Sequence, residues 1–350
     1  MTQPAWDQRR FGVLLTEPDD LGGLVAAIDA LSPAERAAAS RALGRELPGL
    51  RHRLEQAGLR HHAADTALWH RGVVLVALLD TTPAQVASMV TAWPVWNLWQ
   101  DREVFGRVRE ALLAHDRRWA AQLVEAILRK PDVGVYTRLA HPLIVAHDLP
   151  LPGQPAFWQL WAHELSLPQP NQRWEEHFLA ACAVPDVLMG ISSGQADYAR
   201  RISRAVDILR KLEPTNDQAL TRALIQVFAR GDRPGAQRMA LLWLGALGLE
   251  GYLWDEQAQL LAALPHADNA VVKFAVQQLL SSEPAPEQLT GLALVVLPRK
   301  EKGPRRAVLK ALARLDAPPA ALLEAVEALS DHADSVTADL ARSLLRRWKG

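Results

Sequence analysis

The residues best equipped for chemistry in this chain are His61, His62, Asp65 and His70, four potential metal ligands inside a ten-residue stretch. A zinc or iron ion needs three or four such groups converging on one point, usually from HxxxH-like spacing or paired cysteines. On a helix His61 and Asp65 share a face, but His70 lies well round from His61. No HExxH sequence and no cysteine pair occurs, and Trp161-Ala162-His163-Glu164 offers His-Glu without the second His. His141 and His147 stand in a proline-rich region. These histidines read as solvated or capping groups, with no metal and no cofactor expected.

Other catalytic chemistry is equally sparse. Cys182 lies in Leu179-Ala180-Ala181-Cys182-Ala183, an apolar helical setting that favours an inert thiol over a nucleophile. Glu175 and Glu176 are adjacent, so on a helix their carboxylates point apart and make no acid/base pair. Phosphate-binding loops of the GxxxxGK[S/T] and GxGxxG kinds are missing, and Gly190-Ile191-Ser192-Ser193-Gly194 reads as a flexible loop. The balance leans away from an enzyme.

Aromatic and basic residues say more. There are 12 Trp against 6 Phe, and Trp93, Trp96 and Trp99 recur every three residues on one broad helix face. Such a face can stack bases or line a groove, but only Arg102 brings a cation near it, so core packing is the expectation. Between Arg299 and Arg314 stand Arg299, Lys300, Lys302, Arg305, Arg306, Lys310 and Arg314 against Glu301 alone. Arg306, Lys310 and Arg314 repeat every four residues and form one stripe, with Arg342 and Arg346 as a similar pair on the last helix. Glu324, Glu327 and Asp331 lie between them, predicting a basic face and an acidic one in the C-terminal third. Tyr198–Arg238 adds nine basic residues against four acidic. These cations are candidates for an anionic partner; a solvated helix face is the plainer alternative.

The elements that must position them are helices. Ser32-Pro33-Ala34-Glu35 supplies a cap, a first-position proline and a third-position glutamate, a strong helix start. That helix is predicted to run to about Leu43, with a break at Pro48-Gly49 before the next. Gly72–Leu79 is an apolar run of strand length whose Leu-Ala content and neighbours favour a buried helix. Regular helices are predicted at about 198–212, 216–230, 235–248, 254–264, 269–281, 286–297, 303–315, 319–330 and 335–348. Three stretches repeat a helix start, an Ala seven residues on and a Leu four later: Asp268-Ala275-Leu279, Pro304-Ala311-Leu315 and Asp334-Ala341-Leu345. The pattern predicts an all-α fold, a HEAT-like α-solenoid or right-handed array of antiparallel helix pairs. It divides into N-terminal repeats (1–130), an irregular Pro-rich connector (131–197) and C-terminal repeats (198–350), read as one continuous solenoid.

Composition agrees. Lys+Arg and Asp+Glu both number 39, so no global field recruits nucleic acid or an anionic membrane. A single cysteine excludes an intramolecular disulfide and fits a reducing compartment. Phe11–Leu15 is too short for a signal-peptide core, and the longest apolar run, Ala240–Leu249, is about half a membrane span. A cytoplasmic location is expected.

Leu21–Leu43 resembles the start of a large actinobacterial family of uncharacterised domains. Arg107–Lys130 is similar to a Trp-containing helix pair later in that family, and the 268–345 stretches resemble HEAT-like repeats. The resemblance implies helical-repeat architecture and carries over no functional residue. The expected function is a non-enzymatic scaffold gripping a protein or peptide through a concave surface. The alternative is a nucleic-acid-binding HEAT-like solenoid, similar to DNA-repair glycosylases that hold a duplex on a basic concave face. Against it stand the neutral charge and the lack of a carboxylate–aromatic catalytic set.

Overall fold

The computed structural model describes residues 12–13, 20–57, 63–92, 102–130, 137–164, 173–189, 195–212 and 214–349, and its helices group into two compact units, 1–160 and 161–350. Among the described residues there is no strand, so the all-α expectation holds.

The first unit holds α1 (Leu21–Asp29), α2 (Pro33–Ala57), α3 (Ala63–Leu78), α4 (Pro83–Val90), α5 (Arg102–Leu113), α6 (Arg117–Leu128) and α7 (Thr137–Ala146). The capping box forms: Ser32 Oγ accepts from the Glu35 N–H at 3.4 Å, and the Ser32 N–H donates to Glu35 Oε2 at 3.0 Å. The expected break at Pro48-Gly49 does not occur; α2 runs through both residues. Leu43, Leu47, Leu50 and Leu54 stay in phase across Pro48 and are all buried. Burying that stripe outweighs the roughly 3 kcal/mol that an interior proline costs. Gly72–Leu79 is helical and buried, as expected. A Cβ at Gly72 would overlap Met89 Cε and Sδ, so a larger residue there would make the Met89 side chain move aside.

The division between units falls inside α8 (Pro155–Glu164). The second unit continues with α9 (Trp174–Cys182), α10 (Gln195–Leu212), α11 (Asp217–Ala229), α12 (Pro234–Ala246), α13 (Gln257–Ala263), α14 (Asn269–Ser281), α15 (Pro286–Val296), α16 (Lys302–Leu312), α17 (Ala320–Glu327) and α18 (Ser335–Lys349). Here α9, α11, α13, α15 and α17 pack successively on one another, and so do α10, α12, α14, α16 and α18. Cross-packing of α11 on α12, α15 on α16 and α17 on α18 joins these odd and even layers. The first unit repeats the scheme, with α1, α3, α5 and α7 in one layer and α2, α4 and α6 in the other. Pieces of the stretch read as a connector therefore pack as ordinary members: α7 on α5 and α6, α9 on α11.

The repeat register needs one correction. Ala275, Leu279, Leu315 and Ala341 are buried, Leu315 from beyond the end of α16, but Ala311 and Leu345 are only half-buried. Pro304 is the third residue of α16, not its start. The residues preceding α14, α16 and α18 are Asp268, Glu301 and Asp334, 33 positions apart each time. Counted from Glu301, the core positions are Val308 and Leu312, both buried.

Candidate interaction surface

Much of the basic excess turns inward. Arg299 donates to the carbonyls of Leu264, Pro265 (2.9 Å) and Ala267 (3.0 Å) and grips Glu301 at 2.8 Å. Arg230 does the same two steps earlier in the odd layer, donating to the carbonyls of Cys182, Ala183 and Val184 while paired to Asp232 at 2.7 Å. In both cases an Arg-x-acid triplet just past the end of one odd-layer helix clasps carbonyls at the C-terminal end of the previous one, some of which also accept a backbone N–H. Arg305, expected in a partner site, is buried; it donates to the Leu297 and Arg299 carbonyls and to His332 Nε2 at 2.8 Å. Arg306 forms a two-pronged pair with Asp334 (3.0 and 2.5 Å), and Lys302 lies 3.5 Å from the same carboxylate. Those bonds, Arg306 first and then Thr337, hold Asp334 well below the usual carboxylate range. Arg342 donates to the Ser330 carbonyl and pairs with Asp339 at 2.6 Å.

Arg299 and Arg305 are thus structural, and Arg306 is largely spent. Lys300, Lys310, Arg314 and Arg346 are exposed and lack an ion pair among the described residues. Arg342 and Arg346, with Asp339 and Leu345, line an open depression of about 580 Å³ on α18. Trp93, Trp96 and Trp99 fall outside the described residues, as do His61 and His62.

Sequence reasoning missed the way charge sorts by layer. The even helices of the second unit carry fifteen Lys and Arg against three Asp; the odd ones carry one Arg against six Asp and Glu. Within α12, α14 and α16 there is no acidic residue at all. Opposite the buried faces of these three helices stand Arg238, Met239 and Leu242, then Phe274 and Gln277, then Ala307 and Lys310, with Arg314 in the turn that follows α16. Arg238, Lys310 and Arg314 are exposed, whereas Met239, Leu242 and Phe274 are half-buried. These faces therefore carry exposed cations, Lys273 of α14 among them, beside half-buried apolar side chains. The signal was present in the helical spacing, but only the layer assignment places alternate helices side by side.

Chemistry elsewhere is muted. Cys182 is fully buried, and burial pushes its thiol pKa far up, so no thiolate forms. His177 is buried against Trp161, ring centroids 5.8 Å apart, and burial lowers its pKa. Trp174 stacks on Phe178, and Trp243 meets them tilted and edge-on, with centroids 5.1–6.4 Å apart, so these tryptophans serve the core. Among the described residues no cluster of His, Cys, Asp and Glu has the geometry to hold a metal ion. Gly190–Gly194 spells Gly-x-Ser-x-Gly but lies outside the described residues; the nucleophile elbow needs a preceding strand, and the described element before it is helix α9. No described helix is long and apolar enough to cross a membrane. No family model, curated protein or solved structure matches this chain.

Proposed function

We propose that this chain is a non-enzymatic helical-repeat scaffold, a HEAT-like α-solenoid that binds a protein partner on the even-layer face of its second unit. The supporting observation is the charge sorting: within the second unit, fifteen Lys and Arg lie on the even helices and one on the odd helices. Stacked helix pairs present such a set as a continuous surface, the usual binding face of repeat proteins. The basic excess also supports the second reading, a nucleic-acid-binding solenoid. Affinity capture from native lysate, with and without nuclease, separates the two. The expected result is a partner that survives nuclease and is lost when Lys310 and Arg314 are both changed to Glu. Odd-layer reversals, Glu287→Lys with Glu324→Lys, should leave it in place. Capture that nuclease abolishes would transfer the argument to nucleic acid, and capture indifferent to both reversals would remove the even layer as the site.

A further inference from the structure

We infer that the even-layer face of α12, α14 and α16 receives an acidic amphipathic protein segment; this rests on the scaffold reading above. Its apolar side chains cover Met239, Leu242 and Phe274, and its carboxylates meet Arg238, Lys310 and Arg314. Three observations carry the inference. The three helices contain no Asp or Glu, so no carboxylate of their own meets the exposed cations. Arg238, Lys273, Lys310 and Arg314 are exposed and make no ion pair among the described residues, so their charge is available. Met239, Leu242 and Phe274 are half-buried on the faces opposite the core.

That combination discriminates between anionic ligands. A phosphate backbone rewards a dense cation track with repeated aromatic platforms. Here the track is interrupted by aliphatic side chains, and Phe274 is the single aromatic on these faces. A duplex would leave Met239 and Leu242 facing phosphates, whereas an acidic segment bearing Leu or Phe covers them and neutralises the cations. The dimensions are modest. Packed helices lie about 8–10 Å apart, so α12 to α16 spans roughly 20 Å, which about six extended residues cross.

The test uses the full chain and fluorescein-labelled peptides of about 12 residues, roughly twice that crossing. One probe combines Leu and Phe with Asp and Glu. A second replaces the acids by Lys, a third replaces the apolar residues by Ser, and a duplex DNA completes the set. Fluorescence anisotropy should show the first probe binding at least about tenfold tighter than the others, a gap of one decade in Kd. Leu242→Asp, and separately Lys310→Glu with Arg314→Glu, should each remove about a decade of that affinity. Because these side chains are exposed or half-buried, an unchanged circular dichroism melt serves as the folding control. Equal binding of the acidic-apolar and acidic-Ser probes would overturn the apolar contact, and tighter binding of duplex would overturn the protein occupant. If no peptide binds while the nuclease-resistant partner is still captured, this inference fails and the scaffold reading stands. Loss of that capture in Glu287→Lys with Glu324→Lys, and not in the even-layer reversal, would sink the scaffold surface itself.

Discussion

Replacing Arg299 tests whether the basic segment is structural where the geometry makes it so. Its guanidinium serves three carbonyls and Glu301, with side chains only 12% and 17% exposed. A hydrogen bond from a charged donor contributes about 1.5–3 kcal/mol net, and stripping one partner from a largely buried pair costs about 3–5 kcal/mol. Of the freed carbonyls that of exposed Pro265 regains water while those of buried Leu264 and Ala267 do so less readily, so the sum is discounted only to about 2–4 kcal/mol for Arg299→Ala. Lysine keeps the charge but not the planar fork, and it reaches one carbonyl at most, so Arg299→Lys should recover less than half of the loss. At a urea slope of about 2–3 kcal/mol per M, the alanine variant should lower the unfolding midpoint by roughly 1 M. Lys310→Ala, an exposed cation without an ion pair, should stay within about 0.5 kcal/mol of the parent. Urea titration followed by circular dichroism reads all three. Full rescue by lysine would mean that net charge rather than the clasp matters, and an Arg299→Ala midpoint equal to the parent's would refute the clasp altogether.

The corrected register predicts that Leu312→Ala costs about 2–5 kcal/mol and Leu315→Ala somewhat less, because Leu312 is fully buried inside α16 while Leu315, also buried but 7% exposed, lies past its end; a larger loss for Leu315→Ala in urea would restore the Pro304 frame. Glu283 is exposed at φ +50, so Glu283→Gly should raise stability by about 0.5–1 kcal/mol, whereas Asp186→Gly at φ +58 should lower it because its carboxylate accepts the Arg233 N–H at 2.7 Å; paired thermal melts decide. Burial lowers the pKa of His177 below its ordinary 6.5, so the folded chain keeps it neutral while the unfolded chain protonates. Stability should therefore be full above about pH 6.5 and decline as pH falls below it, a slope that His177→Gln flattens. Hydrogen bonds from Arg299 hold Glu301 below its ordinary 4.5, adding stability above that pH that is lost on acidification and is absent in Arg299→Ala.

The helices of the second unit were legible to within about three residues because caps, prolines and apolar spacing agree there: 269–281 is the observed α14 and 335–348 ends one residue short of α18, whereas 303–315 runs three past the end of α16. Pro48 misled because local propensity points to a break while the leucine stripe on either side stays in phase, and packing wins. Pro304 misled in the opposite sense, as a proline in the first turn that is not the first residue. The candidate site was only partly legible. Counting cations finds Lys310 and Arg314 but cannot tell them from Arg299 and Arg305. That difference depends on carbonyls some 30 residues away for Arg299, and on a helix end and a histidine for Arg305.

That distinction also governs what a zero net charge means. An arginine that caps a helix end spends its donors inside the fold but still cancels a carboxylate in the total. The even layer uses Arg210, Arg305 and Arg342 in this way, bonded to the carbonyls of Leu247, Leu297 and Ser330. On the odd layer, Arg230 and Arg299 are matched by their own Asp232 and Glu301. What remains for a partner is therefore set by position in the stack, not by composition. Arg238, Lys310 and Arg314 have no acid on α12, α14 or α16 to meet, and the neighbouring carboxylates of Asp334 and Glu301 are already engaged. Exposed cations on alternate helices of the second unit, Arg238, Lys273 and Lys310, are therefore concealed by the whole-chain balance.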